Sequence, residues 1–275
     1  MQIKKIITSA LEEDLGFGDI TTDYLDLSEK NIIAHFVAKE NGILCGLNIA
    51  FQVFTILEKH IRCVAYKKDG DLIKKGETFA KIEGYSSSIL SGERVALNFL
   101  QRMSGIATMT NEYVNSIKPY QAKLLDTRKT TPLLRELEKY AVRIGGGYNH
   151  RFGLYDMVLI KDNHIAAVGS IKKAVELVKK KNTSYKIEVE VKNAKEIDEA
   201  VRCKVDRILL DNMSLELMKK AVDKYGKEVE FEASGGINIH NINQVASVGV
   251  HYISCGYLTH SYRSLDISLL IKEEQ

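Results

Sequence analysis

Hydrophobic and polar positions follow two different rhythms along the chain, and the rhythm changes near Pro119. Before that point, short runs with a period of two predict β-strands. The strands predicted there are 32–39, 61–66 and 78–82. They surround the segment 47–59, in which Ile49 and Val53 share one helical face. A helical pattern over 87–117 then leads into the second half of the chain.

After Pro119, strand-like and helix-like segments alternate at short and regular spacing. The predicted strands are 123–126, 157–161, 186–191, 207–211, 229–233 and 252–255. The predicted helices are 171–181, 194–202, 215–225 and 239–248. Regular alternation of this kind indicates parallel βα units. Six strands favour an α/β barrel, open or incomplete, and a doubly wound open sheet is the alternative.

The turn-rich segment 69–78 is similar to the hairpin of a lipoyl or biotinyl carrier domain. A carrier needs one modifiable lysine at an exposed hairpin tip, in a recognisable setting, and this segment offers none. We therefore predict hammerhead-like β structure there and no carrier function. Gly105, inside the long predicted helix, is a candidate for a kink, for close packing or for the joint between domains.

Composition and charge exclude several classes of protein. The chain has 275 residues, of which 45% are hydrophobic and 27% charged, as in ordinary globular proteins. A net charge of +3, from 39 Lys and Arg against 36 Asp and Glu, is too balanced for a dedicated nucleic-acid binder. No apolar run approaches the ~20 residues of a membrane helix, and no signal-peptide core precedes the first acidic residues. The four cysteines are scattered, which indicates reduced thiols. We predict a cytoplasmic protein with no nucleic-acid or membrane partner.

Cationic side chains gather where loops leave the predicted strands, beside glycines, rather than at helical spacing among glutamates. They are Arg128, Lys129, His150, Arg151 and Lys161. Arginine offers planar, bidentate donors for carboxylate or phosphate, and lysine adds a point charge. The implied ligand is small and strongly anionic.

Carboxylates and glycine loops lie at the same predicted rim, because the carboxyl ends of parallel barrel strands form one face. Glu190 and Asp211 either balance the cations or coordinate Mg²⁺ and stabilise a cationic sugar transition state. The loops after the last two strands stand where such barrels commonly hold phosphate. Those loops contain Ser234, Gly235, Gly236, Gly256 and Tyr257.

Together these motifs resemble those of the quinolinate phosphoribosyltransferase family, over nearly the full length of the chain. The segments that carry the resemblance are EEDLGFGDITT (12–22), ERVALN (93–98), SGIAT (104–108), DTRKTTP (126–132), GGGYNHRFGL (145–154), IKDNH (160–164), LDN (210–212), EASGG (232–236) and LTHS (258–261). The chain departs from the family at 132–135, where Pro-Leu-Leu-Arg replaces the Pro-Gly-Leu-Arg of many relatives. That departure affects only the expectation for the local turn.

The resemblance implies an N-terminal α/β sandwich-like domain, 1–105, joined to an open, incomplete α/β-barrel catalytic domain, 106–275. It also implies a reaction. Phosphoribose would pass from phosphoribosyl pyrophosphate to the ring nitrogen of quinolinate, with Mg²⁺ on the pyrophosphate. Loss of the 2-carboxylate as CO₂ would then give nicotinate mononucleotide, on the de novo route to NAD.

The resemblance further implies a role for each candidate residue. The quinolinate carboxylates would be bound by Thr127, Arg128, His150, Arg151 and Lys161. Lys129, Glu190 and Asp211 would face phosphoribosyl pyrophosphate, with Mg²⁺ held by the two carboxylates, largely through substrate and water. Phosphate would be held by Ser234, Gly235, Gly236, Gly256 and Tyr257. The catalytic candidates are Lys161, Glu190 and Asp211. Arg94 would reach the site of a neighbouring subunit in a homodimer with shared active sites, and a hexamer is the larger alternative.

Three other functions are weighed against this one. A paralogue associated with molybdenum metabolism is expected to have altered Asn-His-Arg and Lys-Asp-Asn-His segments, and both are intact here. A nicotinate phosphoribosyltransferase would need fewer cations for its single carboxylate. A catalytically dead sensor or scaffold would lose charges at the strand ends, and none is lost.

Overall fold

The structure is a computed structural model that describes residues 2–27, 30–181 and 184–271. The helices are α1 (Gln2–Leu15), α2 (Ile20–Tyr24), α3 (Leu47–Leu57), α4 (Ser86–Ile117), α5 (Arg135–Ile144), α6 (Asp162–Val168), α7 (Ile171–Lys180), α8 (Ala194–Arg202), α9 (Leu215–Tyr225), α10 (Ile242–Ser247) and α11 (Tyr257–His260). The strands are β1 (Asn31–Ala38), β2 (Gly42–Ile43), β3 (Arg62–Ala65), β4 (Leu72–Ile73), β5 (Thr78–Tyr85), β6 (Lys123–Leu125), β7 (Val158–Ile160), β8 (Ile187–Val191), β9 (Arg207–Asp211), β10 (Glu230–Ser234), β11 (Tyr252–Ser254) and β12 (Ile267–Ile271). Among the described residues, no helix combines the length and the hydropathy that crossing a bilayer requires.

The chain forms two compact units, and each is assembled from segments that are distant in sequence. Within the described residues, the first unit comprises 2–27, 30–109, 136–145 and 262–271, and the second comprises 110–135, 146–181 and 184–261. The boundary predicted between residues 105 and 106 falls inside α4, which contributes to both units.

The first unit is built on a four-stranded antiparallel sheet with the order β12-β1-β5-β3. Its core includes three fully buried aromatic side chains, Phe36, Phe54 and Phe79. The edge strand β12 was not predicted from the sequence, and it pairs with β1 in a register that places Ala34 opposite Ile271. This strand comes from the far end of the chain, so its partner depends on tertiary structure.

The segment 69–78 has a structural role. Strand β4 pairs with β2 and β5 pairs with β1 and β3, so the segment forms β structure without being a hairpin. Asp69 accepts hydrogen bonds from the backbone N–H groups of Gly46 (2.9 Å) and Leu47 (3.1 Å), where α3 begins. It also accepts one from the hydroxyl of Tyr140 at 2.9 Å. A carboxylate at a helix N-terminus satisfies N–H groups that have no partner within the helix.

Helix α4 runs without interruption through Gly105, which allows close packing. A Cβ atom at this position would lie only 2.2 Å from the carbonyl oxygen of Arg263. Of the three roles considered for Gly105, close packing within the first unit is the one that the structure supports.

The second unit is an open barrel of six parallel strands in the order β6-β11-β10-β9-β8-β7. The first strand of this unit, β6, lies beside its last, β11, and in the described part of the chain no pairing between β6 and β7 closes the ring. A doubly wound sheet would instead place its first strand inside the sheet, next to the switch point. The barrel prediction is therefore confirmed, and the doubly wound alternative is wrong. The predicted bounds of β9, α8 and α9 agree with the structure, whereas α10 is shorter than the predicted helix 239–248.

Candidate active site

A cavity of about 670 Å³ lies at the carboxyl ends of the parallel strands in the second unit. A volume of this order suits a small-molecule ligand. Every predicted site residue except Arg94 lines the cavity. Those residues are Thr127, Arg128, Lys129, His150, Arg151, Lys161, Glu190, Asp211, Ser234, Gly235, Gly236, Gly256 and Tyr257. Arg94 is exposed on α4 and is not among the lining residues.

Strand periodicity explains why so many chemically different side chains reach this cavity. Alternate residues of a strand point to the same face, so Leu209 and Asp211 of β9 both line it, as do Glu232 and Ser234 of β10. The cavity also contains residues that were not assigned a role from the sequence. These are Leu159, Leu209, Asn212, Glu232, Ile237, Ser254 and His260. The position of the strand residues Leu159 and Leu209 at the cavity follows from the strand period of two, once it is known which face of each strand points inward.

Lys161 and Glu190 form an ion pair inside the cavity. The Nζ atom of Lys161 lies 2.8 Å from Oε2 of Glu190, and their side chains are 45% and 10% exposed. The lysine follows β7 and the glutamate belongs to β8, two neighbouring strands. Because the lysine remains partly accessible while the carboxylate is nearly buried, Lys161 can reach an anionic ligand while staying near Glu190.

Arg128 and Arg151 lie on two different loops, and hydrogen bonds of Asp126 connect these loops. Asp126 is fully buried directly after β6. Its carboxylate accepts hydrogen bonds from the backbone N–H of His150 (2.9 Å) and from the side-chain amide of Asn149 (2.5 Å). Sequence reasoning missed this role, although the position of Asp126 at a strand end was the signal that could have indicated it.

The two arginines that these loops present are close enough to affect each other. Arg151 is only 8% exposed. Burial lowers the pKa of its guanidinium, and the positive charge of Arg128 lowers it further. Its Nη1 donates to the carbonyl of Met157 at 3.2 Å. Two like charges held together are stabilised by an anion that contacts both, which is the electrostatic requirement for a carboxylate or phosphate site.

His150 lies above two fully buried carboxylates. Its Nε2 atom is 3.1 Å from Oε2 of Glu188 and 3.4 Å from Oε1 of Glu232, and its side chain is 8% exposed. Burial lowers the pKa of His150, but the hydrogen bonds to these carboxylates outweigh burial and raise it to about 9. The backbone N–H of Arg151 donates to Nδ1 at 2.7 Å. That hydrogen bond requires an unprotonated Nδ1 and so opposes the protonated ring that the carboxylates favour. Glu188 and Glu232 thus hold the imidazole of His150 in place at the wall of the cavity.

Arg207 of β9 stabilises the same carboxylates from below. It contacts Glu232 at 3.0 Å and stacks on the ring of Tyr252, 3.7 Å from its centre. Burial raises the pKa of Glu188, and the neighbouring Glu232 raises it further. In Glu232 the effect of burial is outweighed by His150, which lowers its pKa together with Ser254 and Arg207. The two acidic residues therefore titrate differently, although each belongs to a neighbour of β9.

Two residues of the glycine loops, Gly235 and Gly256, stand where a side chain would press against its neighbours. Gly235 has φ +92°, and a Cβ atom there would lie 2.3 Å from the side-chain oxygen of Asn212. A Cβ atom at Gly256 would approach both His260 and Lys129 to 3.0 Å. Glycine at both positions lets backbone reach the cavity wall, as phosphate binding by N–H groups requires.

The departure from the family pattern falls on a strained residue. The N–H of Leu134 donates to the carbonyl of Thr131 at 3.1 Å, which closes a turn with Pro132 and Leu133 at its centre. Leu133 has φ +67°, in the left-handed region that favours glycine. A leucine there costs about 1–2 kcal/mol in backbone strain. The turn is nevertheless formed, so the departure leaves the local backbone path intact.

An open parallel barrel with cations, carboxylates and glycine loops at one rim defines an α/β-barrel enzyme that binds small anionic substrates. Two family models match this chain: the quinolinate phosphoribosyl transferase N-terminal domain over 19–104 and the C-terminal domain over 106–270. The chain therefore belongs to the quinolinate phosphoribosyltransferase family, as the sequence motifs predicted.

Individual relatives agree with this membership. The chain is 45% identical over 270 residues to a probable nicotinate-nucleotide pyrophosphorylase [carboxylating] of Bacillus subtilis, covering 98% of this chain and 93% of the relative. Among solved structures, NadC from Streptococcus pyogenes has a TM-score of 0.94 at 42% identity, covering 99% of this chain and 98% of that one. The nicotinate-nucleotide pyrophosphorylase of Francisella tularensis has a TM-score of 0.95 at 39% identity, covering 98% and 96%.

Proposed function

We propose that this protein transfers phosphoribose from phosphoribosyl pyrophosphate to quinolinate with decarboxylation. The products are nicotinate mononucleotide, pyrophosphate and CO₂, in the de novo biosynthesis of NAD. The observation that carries the proposal is that Arg128, Arg151 and Lys161 line one cavity together with Glu190 and Asp211. Relatives named nicotinate-nucleotide pyrophosphorylase [carboxylating], at 45% and 41% identity, support it.

Quinolinate carries two adjacent carboxylates, and the cationic half of the cavity supplies donors for both. In this proposal Thr127, Arg128, His150, Arg151 and Lys161 bind them. The supporting observation is that Arg128 lines the same cavity as the nearly buried Arg151 and lowers its pKa, so that a bound dianion would stabilise both charges. Arginine is suited to this task because its planar fork matches a carboxylate in two hydrogen bonds.

Phosphoribosyl pyrophosphate takes the other half of the cavity. Lys129 and the glycine loops at Ser234, Gly235, Gly236, Gly256 and Tyr257 contact its phosphates. Glu190 and Asp211 suit Mg²⁺ because both are carboxylates, the hard oxygen ligands that this ion prefers, on the neighbouring strands β8 and β9. When bound there, Mg²⁺ would neutralise charge on the leaving pyrophosphate.

The residues of this chain then act on the two chemical stages. As the bond to pyrophosphate breaks, positive charge develops on the sugar, and the carboxylates of Glu190 and Asp211 stabilise it. Ribosylation makes the ring nitrogen positive, so the electrons left by departing CO₂ are stabilised next to it. Lys161 can stabilise that carbanion-like state as a nearby cation, because it lines the cavity and remains 45% exposed.

An assay of the complete reaction tests the proposal. Purified protein incubated with quinolinate, phosphoribosyl pyrophosphate and Mg²⁺ is expected to release CO₂ and form nicotinate mononucleotide in equal amounts. A chelator is expected to stop both, and added Mg²⁺ to restore them. Failure to form the nucleotide from any preparation that is folded by circular dichroism would refute the proposed activity.

We also propose a homodimer with shared active sites, in which Arg94 contacts phosphoribosyl pyrophosphate in the partner's site. The exposure of Arg94 on α4 supports this arrangement, and a closed two-fold dimer is the commonest form of homo-oligomer. A hexamer of such dimers is the larger alternative, which sedimentation would distinguish.

Complementation between two inactive variants tests the shared site. Arg94→Ala and Lys161→Ala chains, mixed and reassembled, are expected to form heterodimers with one site that contains neither substitution. By symmetry, activity is expected to return to about half of the wild-type rate per heterodimer. Mixing each variant with itself is the control. If subunits exchange and no activity returns, Arg94 does not act across subunits.

The cytoplasmic location predicted from the sequence belongs to the same proposal. It is supported by the state of the four cysteines, Cys45, Cys63, Cys203 and Cys255, none of which forms a disulfide. Unpaired cysteines are typical of reducing compartments.

A further inference from the structure

Arg135, the first residue of α5, forms three hydrogen bonds that connect the two loops carrying the arginines. Its Nε donates to Oγ1 of Thr130 at 3.0 Å, and its Nη2 donates to the carbonyl of Arg128 at 3.4 Å. Its Nη1 donates to the carbonyl of Phe152 at 3.1 Å. These three contacts are called the Arg135 bridge below. Arg135 itself does not line the cavity.

Along both loops, Asp126 makes contacts before the arginine and the Arg135 bridge makes contacts at or after it. On one loop, Asp126 precedes Arg128, and Arg135 binds the carbonyl of Arg128 and the hydroxyl of Thr130. On the other loop, Arg151 is held between His150, whose N–H binds Asp126, and Phe152, whose carbonyl binds Arg135. Each substrate-facing arginine is therefore fixed on both sides along its own loop.

A fixed spacing is needed because the two arginines repel each other. Arg128 and Arg151 line the same cavity, and the positive charge of Arg128 lowers the pKa of Arg151. Without a restraint, the loops would relax apart and the cations would lose the separation that matches one ligand. A guanidinium suits the restraint, because its planar fork reaches three oxygens at once, whereas a lysine ammonium is a single point.

The preceding turn delivers Arg135 to this position. Leu133, with φ +67°, reverses the chain after Thr131, so that Arg135 lies back against Thr130. Backbone strain at such a site persists only where surrounding contacts hold it, and the Arg135 bridge supplies such contacts.

We infer that Arg135 is a positioning residue that sets the separation of Arg128 and Arg151, and thereby the affinity of the cavity for an adjacent dicarboxylate. This inference rests on the proposed function for the identity of the dicarboxylate, quinolinate. It predicts a larger defect in binding of the phosphoribosyl acceptor than of phosphoribosyl pyrophosphate, because Lys129 is the one residue assigned to the second substrate that lies between the bridged positions 128 and 130.

The test compares Arg135→Lys with Arg143→Lys, an exposed arginine in the last turn of the same helix. Arg135→Lys is expected to raise KM for quinolinate roughly 10- to 100-fold, because small misplacements of binding groups cost about this much. KM for phosphoribosyl pyrophosphate is expected to rise less than KM for quinolinate, since Lys129 is its one proposed contact on the bridged loops, and kcat is expected to stay within about threefold. Arg143→Lys is expected to behave as wild type. An equal rise in both KM values, or no rise for quinolinate, overturns the inference.

Binding of phthalate, measured by calorimetry without phosphoribosyl pyrophosphate, separates this inference from the proposed function. Phthalate carries the same two adjacent carboxylates and has no ring nitrogen to react. Arg135→Lys is expected to weaken it by the same factor as quinolinate. If wild type binds phthalate but does not turn over quinolinate, the proposed function fails, and the phthalate affinities alone decide the role of Arg135. Unchanged phthalate affinity in the variant overturns that role.

A second variant keeps the test decisive if Arg135→Lys does not fold. Thr130→Val removes the hydroxyl that accepts from Nε and nearly preserves side-chain volume. It is expected to weaken phthalate about two- to tenfold, the range of a typical net hydrogen-bond contribution, because Arg135 keeps its two other contacts. A folded Thr130→Val protein with wild-type phthalate affinity counts against the Arg135 bridge.

Discussion

Replacing Lys161 with alanine is expected to lower kcat/KM for quinolinate by about 30- to 5,000-fold, equivalent to ~2–5 kcal/mol. The Nζ atom of Lys161 lies 2.8 Å from a Glu190 carboxylate that is only 10% exposed. Without the lysine, that nearly buried negative charge remains unpaired, next to substrates that are themselves anionic. Both binding of quinolinate and stabilisation of the decarboxylation step are therefore expected to suffer, so kcat should fall as well as affinity.

Lys192→Ala is the matched control. Lys192 directly follows β8, and its Nζ atom lies 2.7 Å from Oδ2 of Asp162, but both side chains are 50% exposed. Exposed pairs contribute little, so this variant is expected to keep its activity within about twofold. Thermal melting should show that Lys161→Ala is folded, since the backbone N–H of Lys161 that binds His164 is unchanged by the substitution. Near-normal turnover by Lys161→Ala would mean that the site is misplaced.

Quinolinate is expected to be preferred over nicotinate as phosphoribosyl acceptor by roughly 30- to 5,000-fold in kcat/KM. Nicotinate lacks the second carboxylate, so one of the crowded cations would stay unpaired in its complex. Arg151, at 8% exposure and beside Arg128, is the group for which that loss is most costly. The measurement is a comparison of initial rates with each acceptor at the same concentration of phosphoribosyl pyrophosphate.

Arg128→Lys serves as the internal check on this preference. The substitution keeps the charge but removes the planar fork that can bind a carboxylate with two hydrogen bonds. It is expected to reduce the rate with quinolinate much more than the rate with nicotinate, and so to narrow the preference. Comparable kcat/KM values for the two acceptors in the wild-type protein would contradict a dicarboxylate site.

The rim of the barrel could be predicted from the sequence because its pattern is local. Strand β9 ends at Asp211 and β8 contains Glu190, and the period of two fixes which neighbours share their face. Parallel βα order then brings all such strand ends to one edge without any knowledge of distant contacts. Lys161 follows β7 in the same way, so these three residues were placed at one rim before any geometry was known, and the family resemblance then implied their catalytic role.

Residues that act through distant partners could not be found in this way. Glu188 belongs to the same strand face as Glu190, and its sequence pattern is the same, yet it is fully buried beneath His150. Glu190 lies nearer the carboxyl end of β8 and lines the cavity, whereas Glu188 lies two residues further from that end. The sequence does not show how far the cavity extends along the strand. Arg135 likewise has the pattern of an ordinary helix start, and only its contacts with Thr130 and Phe152 reveal a connection between loops.

The amino-acid sequence by itself determined the parallel barrel, its rim of charges and the family, because strand period, strand order and contiguous motifs are local properties of the chain. Tertiary structure alone decided three other matters. It paired β12 with β1 across more than two hundred residues of sequence, placed the open edge between β6 and β7, and joined the arginine loops through Asp126 and Arg135. Each of these depends on contacts between segments that no local pattern relates, since such pairings form only when the whole chain has packed.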